Sequence, residues 1–490
     1  MGKDESFKKW SRKEFIYLST MGIASLALPL WFGGCEQIEE AIRNRPMRRY
    51  IRDGSPELDD MIAIYKEAVN IMKSLPSTDK RNWDYQANIH YYHCSHRNWF
   101  FFPWHRAYLY YFETICRKLT GENSFALPYW NWSLNDRKIP SQFWGSTNPL
   151  YESNRIANAS FQFDIATVGE TNLANLLGYD FISFAVNSSL SGPGQVESGP
   201  HNHIHSNIGG IMSTFHSPLD PIFYCHHSMV DYMWAVWNIN CGNENTSDPN
   251  WKDHTFNNIF VDWNGDDIDT VSVLGTIALP LITYKYELSP PYETICPNNF
   301  NRFTSEKDNE FIAFRKKLEE GVDIRMEYKL QTPIGKGIEI YSSRKNTTLE
   351  VKVGQDLIEM SSNPTDKNKV LLSLEDIKQP IESNFFVRVY VNMPEATKET
   401  STDNVHYAGS FAFFFDPTAE NHHGSMNNTF IVDLTRTMKE LKKAGERTDS
   451  TNFTITFIIV PSNDKVALPD FSFFIKEIKL GVGTVIINNK

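Results

Sequence analysis

The chain has 490 residues, of which 41% are hydrophobic and 22% charged. That composition supports roughly two to four domains with real cores and excludes a disordered or low-complexity protein. Its 48 basic against 59 acidic residues leave a net charge of −11, with no basic stripe along the chain, which speaks for solubility and against a nucleic-acid partner.

Residues 1–35 have the plan of a signal peptide: Lys3, Lys8, Lys9, Arg12 and Lys13 precede an apolar stretch from about Phe15 to Phe32 that ends in Gly33-Gly34-Cys35. Ser11 to Ile16 resembles a twin-arginine signal with lysine in place of the second arginine. The FGGC segment resembles a lipoprotein cleavage box with Cys35 as the lipidated residue. The alternative is an uncut membrane anchor, but the stretch is interrupted by Ser19, Thr20, Gly22, Ser25 and Pro29, and a span needs about 20 apolar residues. Export to the periplasm or cell envelope is the expectation, with membrane contact only through a lipid on Cys35. Export makes disulfides permissible, yet the pairing of Cys94, Cys116, Cys225, Cys241 and Cys296 stays open.

A helical pattern is expected over Glu36 to Met72, where Met61, Ile64, Tyr65, Ala68, Val69 and Met72 recur at helical spacing. Gln86 to Glu113 then holds His90, His93, His96 and His105 around the apolar run WFFFPW, in a chain with only 14 histidines. Leu109, Phe112, Ile115, Cys116 and Leu119 continue a helical period from His105, and Gly121 ends it. The aromatic residues Trp99, Phe100, Phe101, Phe102 and Trp104 read as core. Ser133 to Gly199 reads as loop walling a site.

His201 and His205 are four apart, a spacing that places two imidazoles on one helix face, one turn apart. A paired His226-His227 follows after a loop. Imidazole suits zinc, copper, iron and nickel alike. A zinc protease of the HExxH kind needs a Glu after the first histidine, and this chain has Asn202.

The texture changes at about Gly335 to short β-type runs at 338–341, 348–353, 369–374, 385–391, 409–415, 429–434, 453–460 and 471–480, which suggest a sandwich or barrel. One helix interrupts them, with Leu434, Met438 and Leu441 on one face and Gly445 after its end. His422-His423 reads as an exposed loop pair.

The two histidine segments resemble the copper signatures of the type-3 copper proteins, namely tyrosinases, catechol oxidases and molluscan haemocyanins: HRNWFFFPWHRAYLYYFE the first, HNHIH with DPIFYCHHSMVDYMW the second. The likeness covers roughly residues 45 to 480. It implies two copper ions with O2 as co-substrate, one held by His90, His96 and His105 and the other by His201, His205 and His227, with His93 and His226 as neighbours. The step from His90 to His96 is shorter than in relatives, so His93 stays an alternative to His90. The other spacings fit the bacterial tyrosinase pattern, and the whole resembles a bacterial member with a plant-like C-terminal domain. Cys94, two before His96, stands where some members form a thioether to that histidine. The alternative is a small buried hydrophobe. Glu197 and Asn202 match positions where monophenol-active members hold a water, against a solvated carboxylate as the plain alternative for Glu197. Counting back from His227 puts Thr214 at the position of a bulky gate residue, with Phe215 one step away.

The resemblance implies a mainly α, four-helix-bundle copper domain (36–260), a linker with a DWL-like motif around Asp262-Trp263 (261–334) and an all-β, sandwich-like C-terminal domain (335–490) that shields the site. The expected activity is oxidation of o-diphenols to o-quinones, extended to hydroxylation of monophenols, on a small phenolic substrate. An O2 carrier like the haemocyanins and an o-aminophenol oxidase are the rival readings.

Overall fold

The structure is a computed structural model and describes residues 43–186, 192–296, 308–352, 368–378, 380, 384–414, 429–446, 452–462 and 468–488. The leader with Cys35 and the pair His422-His423 lie outside them. Among the described residues no helix is long and apolar enough to cross a membrane.

The chain is a mixed helix and sheet protein. Strand β1 (Met47–Arg48) precedes helix α1 (Pro56–Ser74), which is followed by α2 (Trp83–His93) and α3 (Phe101–Thr120). Only part of the helical expectation over Glu36 to Met72 holds. Pro46 opens an extended segment, and the helix waits for Pro56, whose missing N–H costs nothing in a first turn. Leu58, Met61, Ile62, Tyr65, Ala68, Val69 and Met72 of α1 are buried. Helix α3 ends at Gly121, which takes φ +78°, a conformation that strains any residue with a Cβ. Helices α4 (Asn202–Ile208), α5 (Ile222–Ala235) and α6 (Val273–Ile282) complete this part, and β2 (Lys285–Tyr286) pairs in parallel with β1.

Residues 261–296, read from sequence as linker, belong to the helical core. Val261, Val271, Ile277, Leu279, Leu281, Tyr284, Tyr286 and Tyr292 are buried in the same apolar cluster as α1, α3 and α5. A disulfide between Cys241 and Cys296 ties the end of this stretch to the turn after α5. Cys94, Cys116 and Cys225 are buried thiols.

The β region has strands β3 (Asp323–Tyr341), β4 (Thr347–Lys352), β5 (Asn368–Lys378), β6 (Phe385–Val391), β7 (Tyr407–Ala412), β8 (Phe430–Asp433), β9 (Asn452–Pro461) and β10 (Ser472–Asn488), with α7 (Thr435–Lys443) between β8 and β9. Two four-stranded sheets, ordered β8-β5-β10-β3 and β4-β9-β6-β7, share one apolar core that includes Val351, Leu372, Val387, Phe457 and Ile475. Strand β3 starts well before Gly335 because residues from Asp323 onward pair along β10. It is a sheet edge, so it lacks a dense apolar signal, and it tolerates Pro333 beside a register shift.

The helices that carry the histidines are fixed to one another by a buried charge network. Arg106, next to His105 on α3, and Asp231, four residues after His227 on α5, form an ion pair. Arg48 of β1 reaches the same carboxylate at 3.1 Å and Glu113 of α3 at 2.8 Å. The Tyr284 and Tyr286 hydroxyls donate to Asp231 Oδ2 at 2.7 and 2.6 Å. Burial pushes the Asp231 carboxyl up, but Arg106 and Arg48 outweigh it and hold it below its usual range. It therefore stabilises the fold above the ordinary carboxylate pKa, and that contribution is lost as pH falls.

Removing one partner leaves buried cations without compensation, which costs about 3–5 kcal/mol. Asp231→Ala should lower the unfolding free energy by about that amount in a urea titration monitored by tryptophan fluorescence, and a loss under about 1 kcal/mol would refute the clamp.

Candidate metal centre

Five histidines of the cluster are each positioned by a separate local contact. His90 is on the last turns of α2, and its Nδ1 meets the Phe215 carbonyl at 2.7 Å. His105, one turn into α3, sends Nδ1 to the Phe101 carbonyl at 2.8 Å. His205 on α4 sends Nδ1 to the Met212 carbonyl at 2.6 Å. His201 precedes α4 in a wide turn kinked at Gly199 and bonds Asn202 Oδ1 at 2.9 Å. A carbonyl can only accept, so these contacts place the proton on Nδ1 and leave Nε2 as a bare lone pair. His96, in the loop between α2 and α3, differs: its Nδ1 neighbour is Cys94 Sγ at 3.2 Å.

The Nε2 atoms converge. Ring centroids lie 4.9 Å apart for His96 and His105, 5.5 Å for His90 and His105 and 4.5 Å for His201 and His205. His205 Nε2 stands 3.2 Å from His227 Nε2, and the rings of His105 and His227 stack at 4.4 Å. The nitrogens of His201, His205, His226 and His227 lie within 4.8 Å of one another, as do those of His90, His105 and His227. The Nε2 atoms of His96, His105 and His201 are buried with no hydrogen-bond partner among the described residues. Buried lone pairs facing each other repel unless a cation lies between them, so this donor set fits metal. His93 is exposed on the far side of α2 and lies outside the cluster. His226, read from sequence as a bystander, joins the second group with both ring nitrogens buried and unpartnered among the described residues. The His-His doublet was its only signal.

Burial, strengthened by mutual repulsion, holds His96, His105, His205, His226 and His227 well below the usual imidazole range, and burial takes His201 to about 3. All are neutral near pH 7, the form that ligates metal. Glu197 is 2% exposed. Its Oε1 accepts the Arg97 backbone N–H at 2.7 Å, and burial pushes its carboxyl up to about 8.

The two gate candidates are placed differently. The Thr214 hydroxyl is used within its own turn, donating to the Ile211 carbonyl at 2.9 Å and accepting the His216 N–H. Phe215 turns inward instead, with its ring centroid 5.6 Å from that of His96.

One wall was not legible from the sequence. Phe414, just beyond β7, lays its ring against His205 at 4.4 Å, His96 at 4.9 Å and His201 at 5.7 Å, and meets Phe215 edge-on at 5.2 Å. Asn202 donates to the Ala412 carbonyl and Arg97 to the Phe414 carbonyl, both at 2.9 Å. The β region is held down further by Arg388 to Asp164 at 2.8 Å and by a Thr167–Ser410 hydroxyl contact at 2.8 Å.

A buried histidine cage carried by helices, with a ring from the β region laid against it, is a donor set that could hold metal ions. Residues 80–177 and 152–240 match the common central domain of tyrosinase, and residues 344–471 match the chloroplastic polyphenol oxidase C-terminal domain. The chain is 27% identical to polyphenol oxidase II, chloroplastic, of Ipomoea batatas, over 76% of this chain and 68% of that one. It is 33% identical to aureusidin synthase of Antirrhinum majus, over 42% of this chain and 46% of that one, and 31% identical to a tyrosinase of a Hahella species, over 45% and 61%. These last two are matched over less than two thirds of their own length. In fold it is similar to a solved latent aurone synthase from natural source, with TM-score 0.64, 23% identity and 90% of both chains covered. The chain belongs to the tyrosinase and polyphenol oxidase family of oxidoreductases and carries the plant polyphenol oxidase C-terminal domain. The family implies a dinuclear copper site. Two of the relatives named here are plant proteins, one of them chloroplastic by name, so the bacterial origin expected from the spacings has no support in them.

The depressed imidazoles set a sign. Above the free-histidine pKa of about 6.5 neither folded nor unfolded chain binds protons there. Below it the unfolded chain takes them up and the metal-free native cage does not, so stability falls with pH. Glu197 acts with the opposite sign, since its contribution is lost as pH rises toward 8, but it is one group against six. Copper-free protein should therefore show a falling urea midpoint from pH 6.5 to 4, which added copper reduces by mass action. A midpoint constant over that range would contradict the buried neutral cage.

Proposed function

We propose that this chain oxidises o-diphenols to o-quinones, two diphenols per O2 reduced to two waters, at a pair of coppers held by His90, His96 and His105 and by His201, His205 and His227. The observation that carries the reading is the set of Nδ1 contacts to backbone carbonyls, which aims buried Nε2 atoms into one cage. Copper bound there supplies two reversible one-electron steps between phenol and O2. The chain's own residues do the rest. Carbonyl contacts fix the ring orientations, Phe101, Phe215 and Phe223 exclude water around them, and the neutral imidazoles leave negative charge to the oxygen ligands and the bound phenolate.

Cys94 joins His96 through a thioether in this reading, which rests on their 3.2 Å approach. A proteolytic peptide two hydrogens lighter than calculated is the expected mass signature, and an alkylatable Cys94 in active enzyme would exclude it. Glu197 and Asn202 hold a water that deprotonates a monophenol, since a phenol of pKa about 10 needs a base at neutral pH. Residues 1–35 direct export, with lipid on Cys35 as the one membrane contact, tested by the loss of labelled lipid in Cys35→Ser.

Wild-type protein should bind two coppers per chain, and His105→Ala or His227→Ala should lose about one of them together with catechol oxidation. Full copper and activity in either variant would refute the ligand set. Glu197→Gln and Asn202→Ala should reduce tyramine oxidation by a larger factor than dopamine oxidation. Equal losses would reject the held water.

The lid reading rests on Phe414. Its ring occupies the place over His96, His201 and His205 that a phenol ring would take. Phe414→Ala in the full chain should raise kcat/KM for 4-methylcatechol by tenfold or more, on the estimate that each 1.4 kcal/mol of plug stabilisation removed is about a factor of ten. An unchanged or lower rate at full copper loading would show that the ring does not restrain access.

A further inference from the structure

The expectation of no basic stripe fails at one place. Five of the ten residues from 43 to 52 are arginine, in a chain whose net charge is −11. The small parallel sheet sorts them. Met47 of β1 pairs with Lys285 of β2, and Arg48 with Tyr286, and successive side chains of a strand point to opposite faces. Arg48 and Tyr286 turn inward to Asp231. Met47, Arg49 and Lys285 are left on the outer face, all partly exposed, and Arg43 just ahead of them is exposed.

The cations of this face crowd one another. Burial lowers the Lys285 ammonium below its usual range, and the charges of Arg45 and Arg49 lower it further. Arg45 lies beneath, 4% exposed, with Nε donating to the Tyr284 carbonyl at 3.2 Å. Carboxylates answer only at the far end of the run. Glu287 holds Arg52 at 2.8 Å and Arg49 at 3.4 Å, and Glu57 stands in the field of the same two arginines. Asp53 is turned to Ser141 and Gln142. Among the described residues no carboxylate pairs with Arg43 or Lys285. Anions from outside the chain would relieve this crowding.

The position of the run in the chain says which anion. Arg43 follows Cys35 by eight residues, a reach of at most about 28 Å in extended chain. A lipid on Cys35 therefore keeps the run near membrane headgroups at high effective concentration. Salt confines attraction to within about 8–10 Å, so an anionic surface acts on the chain face by face, and a protein of net negative charge is held only where its cations are concentrated. We propose that the outer face of β1 and β2, with Arg43, Arg49 and Lys285, is a docking surface for anionic phospholipid headgroups beside the lipid anchor. This rests on the reading of Cys35 as the lipidated residue and extends that single contact to a face of the folded chain, which fixes the side of the molecule that lies against the membrane.

The test uses the full chain as Cys35→Ser, which cannot carry the lipid. Its sedimentation with phosphatidylcholine vesicles, with and without phosphatidylglycerol, is measured at about 0.1 M salt. Each basic residue near an anionic surface is worth about fivefold in binding. Adding Arg43→Ser, Arg49→Ser and Lys285→Ser together should therefore lower partition onto the phosphatidylglycerol vesicles by about tenfold or more and leave the phosphatidylcholine value unchanged. The lysines of the leader are common to both chains and cancel in the comparison. Lys398→Ser, Lys443→Ser and Lys476→Ser remove the same charge from exposed positions of the β region and should alter neither value. Equal binding with and without the first three substitutions, or an equal loss from the second three, overturns the proposal. Displacement from the vesicles by a DNA duplex at equal phosphate concentration would also overturn it, by making nucleic acid the partner.

A second arm leaves the face unchanged. Trypsin cleavage of the Cys35→Ser chain after Arg43 and Arg49 should slow several-fold with phosphatidylglycerol vesicles and not with phosphatidylcholine alone, while cleavage after Lys398 keeps its rate. Unslowed cleavage counts against the face even where the substituted chain fails to fold. Labelled lipid retained by Cys35→Ser would instead reject the anchor, a result independent of vesicle binding, so the two failures are distinguishable.

Discussion

The arrangement depends on the buried Asp231 carboxylate. It lies one helical turn beyond His227 and pairs with Arg106, the neighbour of His105, so a single ion pair sets the distance between two helices that carry opposite sides of the cage. Arg48, Tyr284 and Tyr286 complete its coordination from chain segments more than fifty residues away on either side. Such a clamp adds little net stability compared with apolar packing, since desolvation offsets attraction. Its effect is on register: the Arg106–Asp231 pair joins α3 to α5 at the turns that carry His105 and His227.

Around this frame the cage follows one rule. His90, His105 and His205 spend Nδ1 on a carbonyl, and the carbonyls come from positions set by local turns: Phe101 in the same helix as His105, Met212 in the turn after α4, Phe215 in the loop opposite α2. The exceptions are informative. His96 faces a thiol, and His201 faces Asn202, whose other amide end is bound to the lid strand. At these two places the ring nitrogen meets a buried thiol in one case and a side chain bound to the β region in the other.

That β region has its own two-sheet core, and some of its contacts with the helical part lie at the histidine cage. Ala412 and Phe414 supply carbonyls to Asn202 and Arg97, and the Phe414 ring fills the space over the histidines. Flanking contacts from Arg388 and Ser410 hold the strand in place. The β region thus contributes both a ring and two backbone carbonyls to the surroundings of the histidines.

The two histidine motifs were readable because their information is local. Spacing within a helix places His201 beside His205, and the run after Pro103 places His105 near a helix start, whatever the rest of the chain does. The β texture after Gly335 and the apolar face of α7 were legible for the same reason of period. What the sequence did not carry was every relation between distant segments. His90 was separated from His93 only when α2 packed with one side inward. That Phe215, not Thr214, lies against His96 emerged only from the turn that holds the Thr214 hydroxyl. Tyr284 and Tyr286 looked like linker until they met Asp231. The Cys241–Cys296 bond and the Phe414 plug join positions whose proximity no periodicity encodes. Chain-local geometry and residue chemistry determined the histidine motifs, while long-range packing of buried charges and rings decided which neighbours surround them.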